Sequence, residues 1–286
     1  MNSYVNKIPL RIVLWYKLFP ILQKISYKWS LKEAVKLFTK PIKFKLPSKE
    51  LELRNKAEIS YHNFENKKLA ILKWKAAENN PWVLLMHGWA SRGTHFHPMV
   101  KSLLEQGYNV IAPDAPGHGL SPGKESDILK FAEAIKFAVK ECKPEYWICH
   151  SMGGSAAMYA IREYGYKPKH LSILGTPSIA KDIIEVYFGK VNAPISMYQD
   201  FKDALESKYS INDFSDYTAE KLIQQVDKEL SINLVYDEKD VDAPVSHGKC
   251  LLSHHPNATL EITAEYGHTN LIKSLEVLEM CQKHWR

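Results

Sequence analysis

The residue types most able to do chemistry sit in the run Cys149-His150-Ser151-Met152-Gly153-Gly154. An apolar strand, 146–149, precedes it, and a helical stretch with Ala156, Ala157, Tyr159, Ala160 and Ile161 follows. A serine on so sharp a strand-to-helix turn presents its hydroxyl at the C-terminal edge of a sheet. Small neighbours let strand and helix come close, and the helix start aims N–H groups at the same place. A hydroxyl is a weak nucleophile. It needs a base to take its proton, an acid to orient that base, and N–H donors for the charge that develops on the attacked carbonyl. The chain holds material for each part: Gly267-His268, the acidic run Asp237, Glu238, Asp240 and Asp242, and His87-Gly88-Trp89 after a buried-type strand. The competing reading is a Gly-rich turn with an ordinary capping serine.

Taken together these segments resemble the α/β-hydrolase superfamily, whose nucleophile elbow reads G-x-S-x-G. Gly153 fits that pattern, and Cys149 stands where the first glycine is usual. Cysteine is small, so the turn is expected to survive. The resemblance implies Ser151 as nucleophile, with oxyanion N–H groups from Met152, which follows it, and from Trp89, which follows His87-Gly88. Asp114-Ala115-Pro116-Gly117-His118-Gly119-Leu120-Ser121 is similar to the family's D-x-P-G-H-G-x-S loop, in which Asp114 and His118 are expected to brace rather than react. The family places its acid three residues before a small apolar residue and Pro, which selects Asp240, with Asp237 as runner-up. The other family placement, after the preceding strand, has no carboxylate in Gly175-Thr176-Pro177-Ser178. His268, in the loop after the last strand, is the implied base. The order Ser151, Asp240, His268 is the nucleophile–acid–base order of the fold. The likeness covers roughly residues 57–286, with 179–229 unmatched.

The resemblance implies a serine hydrolase similar to bacterial carboxylesterases or monoacylglycerol lipases. Such an enzyme cleaves a small ester or thioester, here expected to carry an apolar acyl part, through an acyl-enzyme intermediate. It implies no cofactor and no metal. A serine at the elbow sets aside the dehalogenase and epoxide-hydrolase branches, which use Asp. Peptidases, lyases and acyltransferases share the triad and stay open. So does a non-catalytic binding or scaffold protein on the same fold, because fold does not fix function.

The elements needed to position these residues are legible around them. Strands are expected at 57–64, 68–74, 82–87, 109–113, 146–149, 171–175, 232–236 and 259–263. Several are continuous Val/Ile/Leu-rich runs, as in strands covered on both faces. The first two, separated only around Asn66, read as an antiparallel hairpin. The clearest helix is 127–142, where Ile128, Ala132, Ile135, Val139 and Cys142 recur every three or four residues, with Ser126 as expected N-cap and Pro144 past the end. This alternation predicts an α/β chain of the α/β-hydrolase fold, with a mostly parallel eight-stranded sheet and helices on both faces. Residues 179–229 are too long for one crossover and are expected to be an inserted helical cap within a hydrolase domain at 47–286. Its aromatics, Tyr187, Phe188, Tyr198, Phe201, Tyr209, Phe214 and Tyr217, would form either the cap's own core or an apolar substrate slot.

Residues 1–46 are expected to form a basic, amphipathic helical extension. The chain of 286 residues has a net charge of +6, yet residues 1–45 hold ten Lys or Arg, Lys7 among them, against Glu33 alone. The remainder is therefore slightly acidic, which excludes a nucleic-acid-binding body. In the extension Ile8, Leu10, Ile12, Val13, Leu14, Trp15, Leu18, Phe19, Ile21, Leu22 and Ile25 have helical spacing, and Pro20 is expected to end or kink that helix. Lys17 and Pro20 interrupt the apolar stretch and no small-residue cleavage site follows, so a signal peptide is a poor fit. Two readings remain for the extension: accessory helices packed on the hydrolase body, or peripheral contact of residues 1–45 with an anionic membrane surface. Four scattered cysteines form no C-x-x-C pair, and no apolar run approaches the ~20 residues of a membrane span. A cytoplasmic location is expected, with the inner membrane surface as the variant that goes with the second reading. Among the other histidines, His95 and His97 lack a Cys or carboxylate companion for a metal, His254-His255 is expected at the surface, and His150 is expected to pack. Cys149 is expected to be a buried small residue.

Overall fold

A computed structural model describes residues 10–285. Residues 1–9, including Lys7 and Ile8 of the basic extension, lie outside the described residues. By its internal contacts the chain divides into two compact units. One contains the described residues up to Thr39 together with Ala180–Phe214. The other contains Lys40–Ile179 and the chain from Ser215 onward.

The larger unit is built on eight strands: β1 (Glu58–Phe64), β2 (Lys67–Trp74), β3 (Trp82–Met86), β4 (Asn109–Pro113), β5 (Tyr146–His150), β6 (His170–Leu174), β7 (Ser231–Asp237) and β8 (Ala258–Thr263). Their order across the sheet is β1-β2-β4-β3-β5-β6-β7-β8. β1 and β2 are antiparallel and joined at Glu65-Asn66, both at positive φ, the two-residue hairpin loop that suits the sheet's twist. β2 also runs antiparallel to β4, and every pairing from β4 to β8 is parallel. With this sheet the chain has the α/β-hydrolase fold. Alternate residues of the central strands feed two separate cores. Leu84, Met86, Trp147 and Cys149 pack on one face of the sheet, and Val83, Leu85, Tyr146 and Ile148 on the other. Both faces are therefore dry, which explains the unbroken apolar runs.

The helix at Ile128–Cys142 is capped by Asp127, whose side chain accepts the Lys130 N–H, and not by Ser126 as expected; Ser126 is buried. Of the expected surface pair His254-His255, His255 is corrected, while His254 stays partly exposed. The helix Val245–His254 ends with His255 in an extended conformation, and that turn buries its ring against the Asp227 carbonyl, 3.0 Å from Nε2. Residues 215–229 of the expected cap lie with the sheet, where Ala219, Leu222, Ile223 and Val226 join its core.

The smaller unit joins two helices of the extension, α1 (Leu10–Ile25) and α2 (Tyr27–Thr39), to the helices Ala180–Val191 and Tyr198–Tyr209. Phe19, Ala34, Val35, Ile184, Phe188, Met197, Phe201 and Leu205 form its core. Phe38 of α2 meets Tyr187 and Phe201 of the insert ring to ring, and Phe201 also meets Phe188, so these insert aromatics serve the unit's own packing. The Tyr187 hydroxyl donates to the Ala34 carbonyl at 2.6 Å. Of the two outcomes expected at Pro20, an end is not seen: α1 runs through it. Proline has no N–H to offer the carbonyl four residues back. That carbonyl, on Tyr16, instead accepts a hydrogen bond from Asn192 Nδ2 at 3.2 Å.

Candidate active site

β5 delivers Ser151 at its C-terminal end, and the helix Met152–Tyr164 leaves from it. Ser151 has φ 53° and ψ −126°, a strained conformation for a non-glycine residue. The turn is held from several sides. The Ser151 N–H donates to the Leu174 carbonyl, and the Ser151 carbonyl accepts from the Gly154 N–H and from the Thr176 hydroxyl at 2.8 Å. Tyr236 in turn donates its hydroxyl to the Thr176 carbonyl at 2.6 Å. The elbow helix starts so close to β3 that a Cβ on Gly153 would lie 2.6 Å from the carbonyl oxygens of both Met86 and His87. Cys149 is fully buried in the strand before the turn, and burial pushes its thiol far above the ordinary range. It is a small core residue there, in the place where glycine is more usual.

The end of β7 and the loop after β8 bring two more groups to this turn. His268 Nε2 lies 3.1 Å from Ser151 Oγ, and His268 Nδ1 lies 2.7 Å from Asp240 Oδ2. The other oxygen of Asp240 accepts the N–H groups of Asp242 and Ala243, both at 2.8 Å. One oxygen of this buried carboxylate thus accepts two backbone N–H groups, and the oxygen facing His268 takes the Nδ1–H. That proton position leaves Nε2 bare toward the serine hydroxyl. Asp237, the runner-up acid, is occupied elsewhere. It accepts the backbone N–H groups of Lys239, Glu265, Tyr266 and Gly267 and the Thr263 hydroxyl. These donors, outweighing burial, pull its carboxyl down to about 2. Asp237 shapes the loop that carries His268 and does not touch the imidazole.

His87-Gly88-Trp89 lies against the elbow: a Cβ on Gly88 would stand 2.7 Å from Ser151 Cβ. Met152, the first residue of the elbow helix, has no carbonyl one turn back within its helix for its N–H. Around Trp89 the chain is braced. His87 Nε2 accepts the Ala115 N–H, so its Nδ1–H donates to the Gly88 carbonyl. His118 Nε2 accepts the Ala90 N–H, and Asp114 accepts those of Gly93 and Leu120. Burial lowers His118 to about 4 and raises Asp114 to about 6. Both therefore serve as fixed polar struts in this loop. Glu50 holds Arg92 and Thr94 just beyond, a support that no motif in the sequence signals.

His150 does more than pack. Its Nε2–H donates to the backbone carbonyl of His268 at 2.9 Å, and the two rings lie 4.7 Å apart. Its own position beside Ser151 was the only sequence signal for this role. Thr176 carried no signal beyond following β6. His95 is bonded to the Ser91 hydroxyl and pushed down to about 4 by burial. Among the described residues Glu220, Cys250 and His254 place potential metal-ligating atoms within 4.8 Å of one another. His254 and Glu220 there also form a loose ion pair.

Residues 77–200, which hold the elbow and the His87-Gly88-Trp89 turn, match a family model described as serine aminopeptidase, S33. A serine hydrolase-like protein of Dictyostelium discoideum is 32% identical over 114 residues, 36% of this chain and 30% of that protein. A pimeloyl-[acyl-carrier protein] methyl ester esterase of Xanthomonas axonopodis pv. citri is 26% identical over 137 residues, 45% of this chain and 51% of that enzyme. The chain thus spans 30% and 51% of the length of these two relatives. The thioesterase domain of the curacin biosynthetic pathway superposes with a TM-score of 0.58 at 17% identity, covering 80% of this chain and 99% of that domain. Sheet order, elbow and matched segment together give the chain the α/β-hydrolase fold.

Proposed function

We propose that the protein is a serine hydrolase that cleaves a small carboxylic ester or thioester through an acyl-enzyme. The observation that carries this reading is the hydrogen-bonded line from Asp240 through His268 to Ser151, 2.7 and 3.1 Å long. In the first step Ser151 Oγ attacks the substrate carbonyl while His268 Nε2 takes its proton. Asp240 stabilises the imidazolium that forms, and the same proton then goes to the leaving alcohol or thiol. The carbonyl oxygen, now anionic, lies between the N–H groups of Trp89 and Met152, each donor lowering the barrier by about 3 kcal/mol. Water activated by His268 then releases the acid. No cofactor enters this scheme. That relatives include a methyl ester esterase, and structural neighbours a thioesterase, supports the ester or thioester class.

A fluorophosphonate probe tests the reading. The intact protein is expected to gain one covalent adduct, mapped by mass spectrometry to Ser151, and Ser151→Ala none. Asp240→Asn is expected to lower kcat by about 10⁴-fold with nitrophenyl esters. A panel of those esters from acetate to palmitate then reports the acyl length preferred. Absence of labelling on folded protein would favour a binding protein on a hydrolase fold.

A further inference from the structure

α1 uses one face for packing and leaves another uncovered. Phe19 is buried in the core of the smaller unit, and Trp15 packs against it. Leu14, Leu18, Ile21 and Ile25, spaced by four, three and four, are between 43 and 73% exposed. At 100° per residue they fall within about 60° of arc, a single stripe along the helix. Trp29, just beyond the start of α2, is 56% exposed. Large apolar side chains gathered in this way mark an interaction surface, unlike single exposed leucines. Along residues 14–32 the charge beside them has one sign, while Asp200 accepts from the Tyr27 hydroxyl at the start of α2. Lys17 and Lys24 project together beyond the edge of the stripe opposite Trp15 and Phe19, and Lys28 and Lys32 follow on α2, all exposed. Among residues 14–32 there is no acidic residue.

We infer that α1 and the start of α2 form a docking surface for an anionic lipid bilayer. Apolar side chains of this size enter the boundary between headgroups and acyl chains, and lysines at the margin meet the anionic headgroups. Lysine stems are long enough to keep their ammonium groups at headgroup level while the stripe inserts. A second copy of the chain is the less suitable occupant, because pairing two such faces would bring like charges together. Among the described residues no helix is long and apolar enough to cross a membrane, so the contact is peripheral. The inference does not depend on the chemistry proposed for Ser151.

Sedimentation of the full chain with vesicles tests it. Binding is expected to phosphatidylcholine vesicles containing about one third phosphatidylglycerol, and at least about tenfold weaker binding to pure phosphatidylcholine. Replacing Lys17, Lys24 and Lys28 by Gln is expected to lower the partition coefficient about 100-fold, at about fivefold per lysine. The Leu18→Ser/Ile21→Ser/Ile25→Ser variant alters only exposed side chains. It is expected to lose at least about tenfold in binding while keeping its far-ultraviolet dichroism and its turnover of a soluble nitrophenyl ester. Ser151→Ala is expected to bind like the unaltered chain. Equal binding of the triple-serine variant, or no binding by the unaltered chain, would overturn the inference. So would a concentration-dependent dimer that the serine substitutions dissociate without any effect on vesicles.

Discussion

His268 is fixed twice, through its ring by Asp240 and through its backbone carbonyl by His150. In the proposed mechanism the second bond matters because it sets where the imidazole's own chain segment sits relative to Ser151. His150→Phe keeps a ring in the buried space and removes the donor. The lost bond, worth about 1–2 kcal/mol, is expected to lower kcat roughly tenfold with KM little changed. His150→Asn, which retains a donor, is expected to recover part of that loss. Steady-state kinetics on a soluble ester measure both. At this scale the sequence was partly legible. The choice of Asp240 over Asp237 was implied by the family resemblance, whose pattern sets the acid three residues before a small apolar residue and Pro, here Ala243 and Pro244. The geometry supplies its physical counterpart, because Asp237 is already saturated by N–H donors from the β8 loop. The donor role of His150 was not legible, since it depends on a carbonyl 118 residues away.

Elements meet closely at some glycines and not at others, and the same substitution is expected to act with opposite sign at one of each kind. Gly153→Ala drives a methyl group into two backbone carbonyls at the end of β3. It is expected to cost about 2–3 kcal/mol and to displace the elbow. Gly189 lies in the helix Ala180–Val191 with nothing within 4 Å of an added Cβ, so Gly189→Ala is expected to gain about 0.5–1 kcal/mol. Urea titration of both variants gives the two signs. The strands were legible because both faces of the sheet are buried, and Val/Ile/Leu runs of five or so residues follow from that alone. The passage of α1 through Pro20 was not, because its spare carbonyl is satisfied by Asn192, far along the chain. The cap of the helix at 128 was misplaced by one residue, since Ser126 and Asp127 are both good caps and only the local turn decides between them.

The molecule buries many neutral histidines, and this sets its response to acid. His95, His118 and His170 are pushed down to about 4, and His87 and His150 also fall well below the ordinary value, in each case chiefly by burial. Between pH 6.5 and 4 the unfolded chain takes up protons that these folded side chains refuse. Stability therefore falls as pH drops, by about 1.4 kcal/mol per pH unit for each such group. Asp114, raised to about 6, has the opposite sign and offsets one of them between pH 6 and 4. The urea midpoint is expected to decline steadily from pH 7 to pH 5, and a flat profile would show that the rings accept protons without unfolding. The smaller unit has a different consequence, one of timing. Its first two helices leave the ribosome well before their partners, with 153 residues between Ala34 and Tyr187. At translation rates of about 5–20 residues per second, Phe19 and Val35 wait roughly 8–30 s for Ile184 and Phe188 to be made. During that interval the nascent chain shows both apolar sides of α1, before the partners that bury one of them exist.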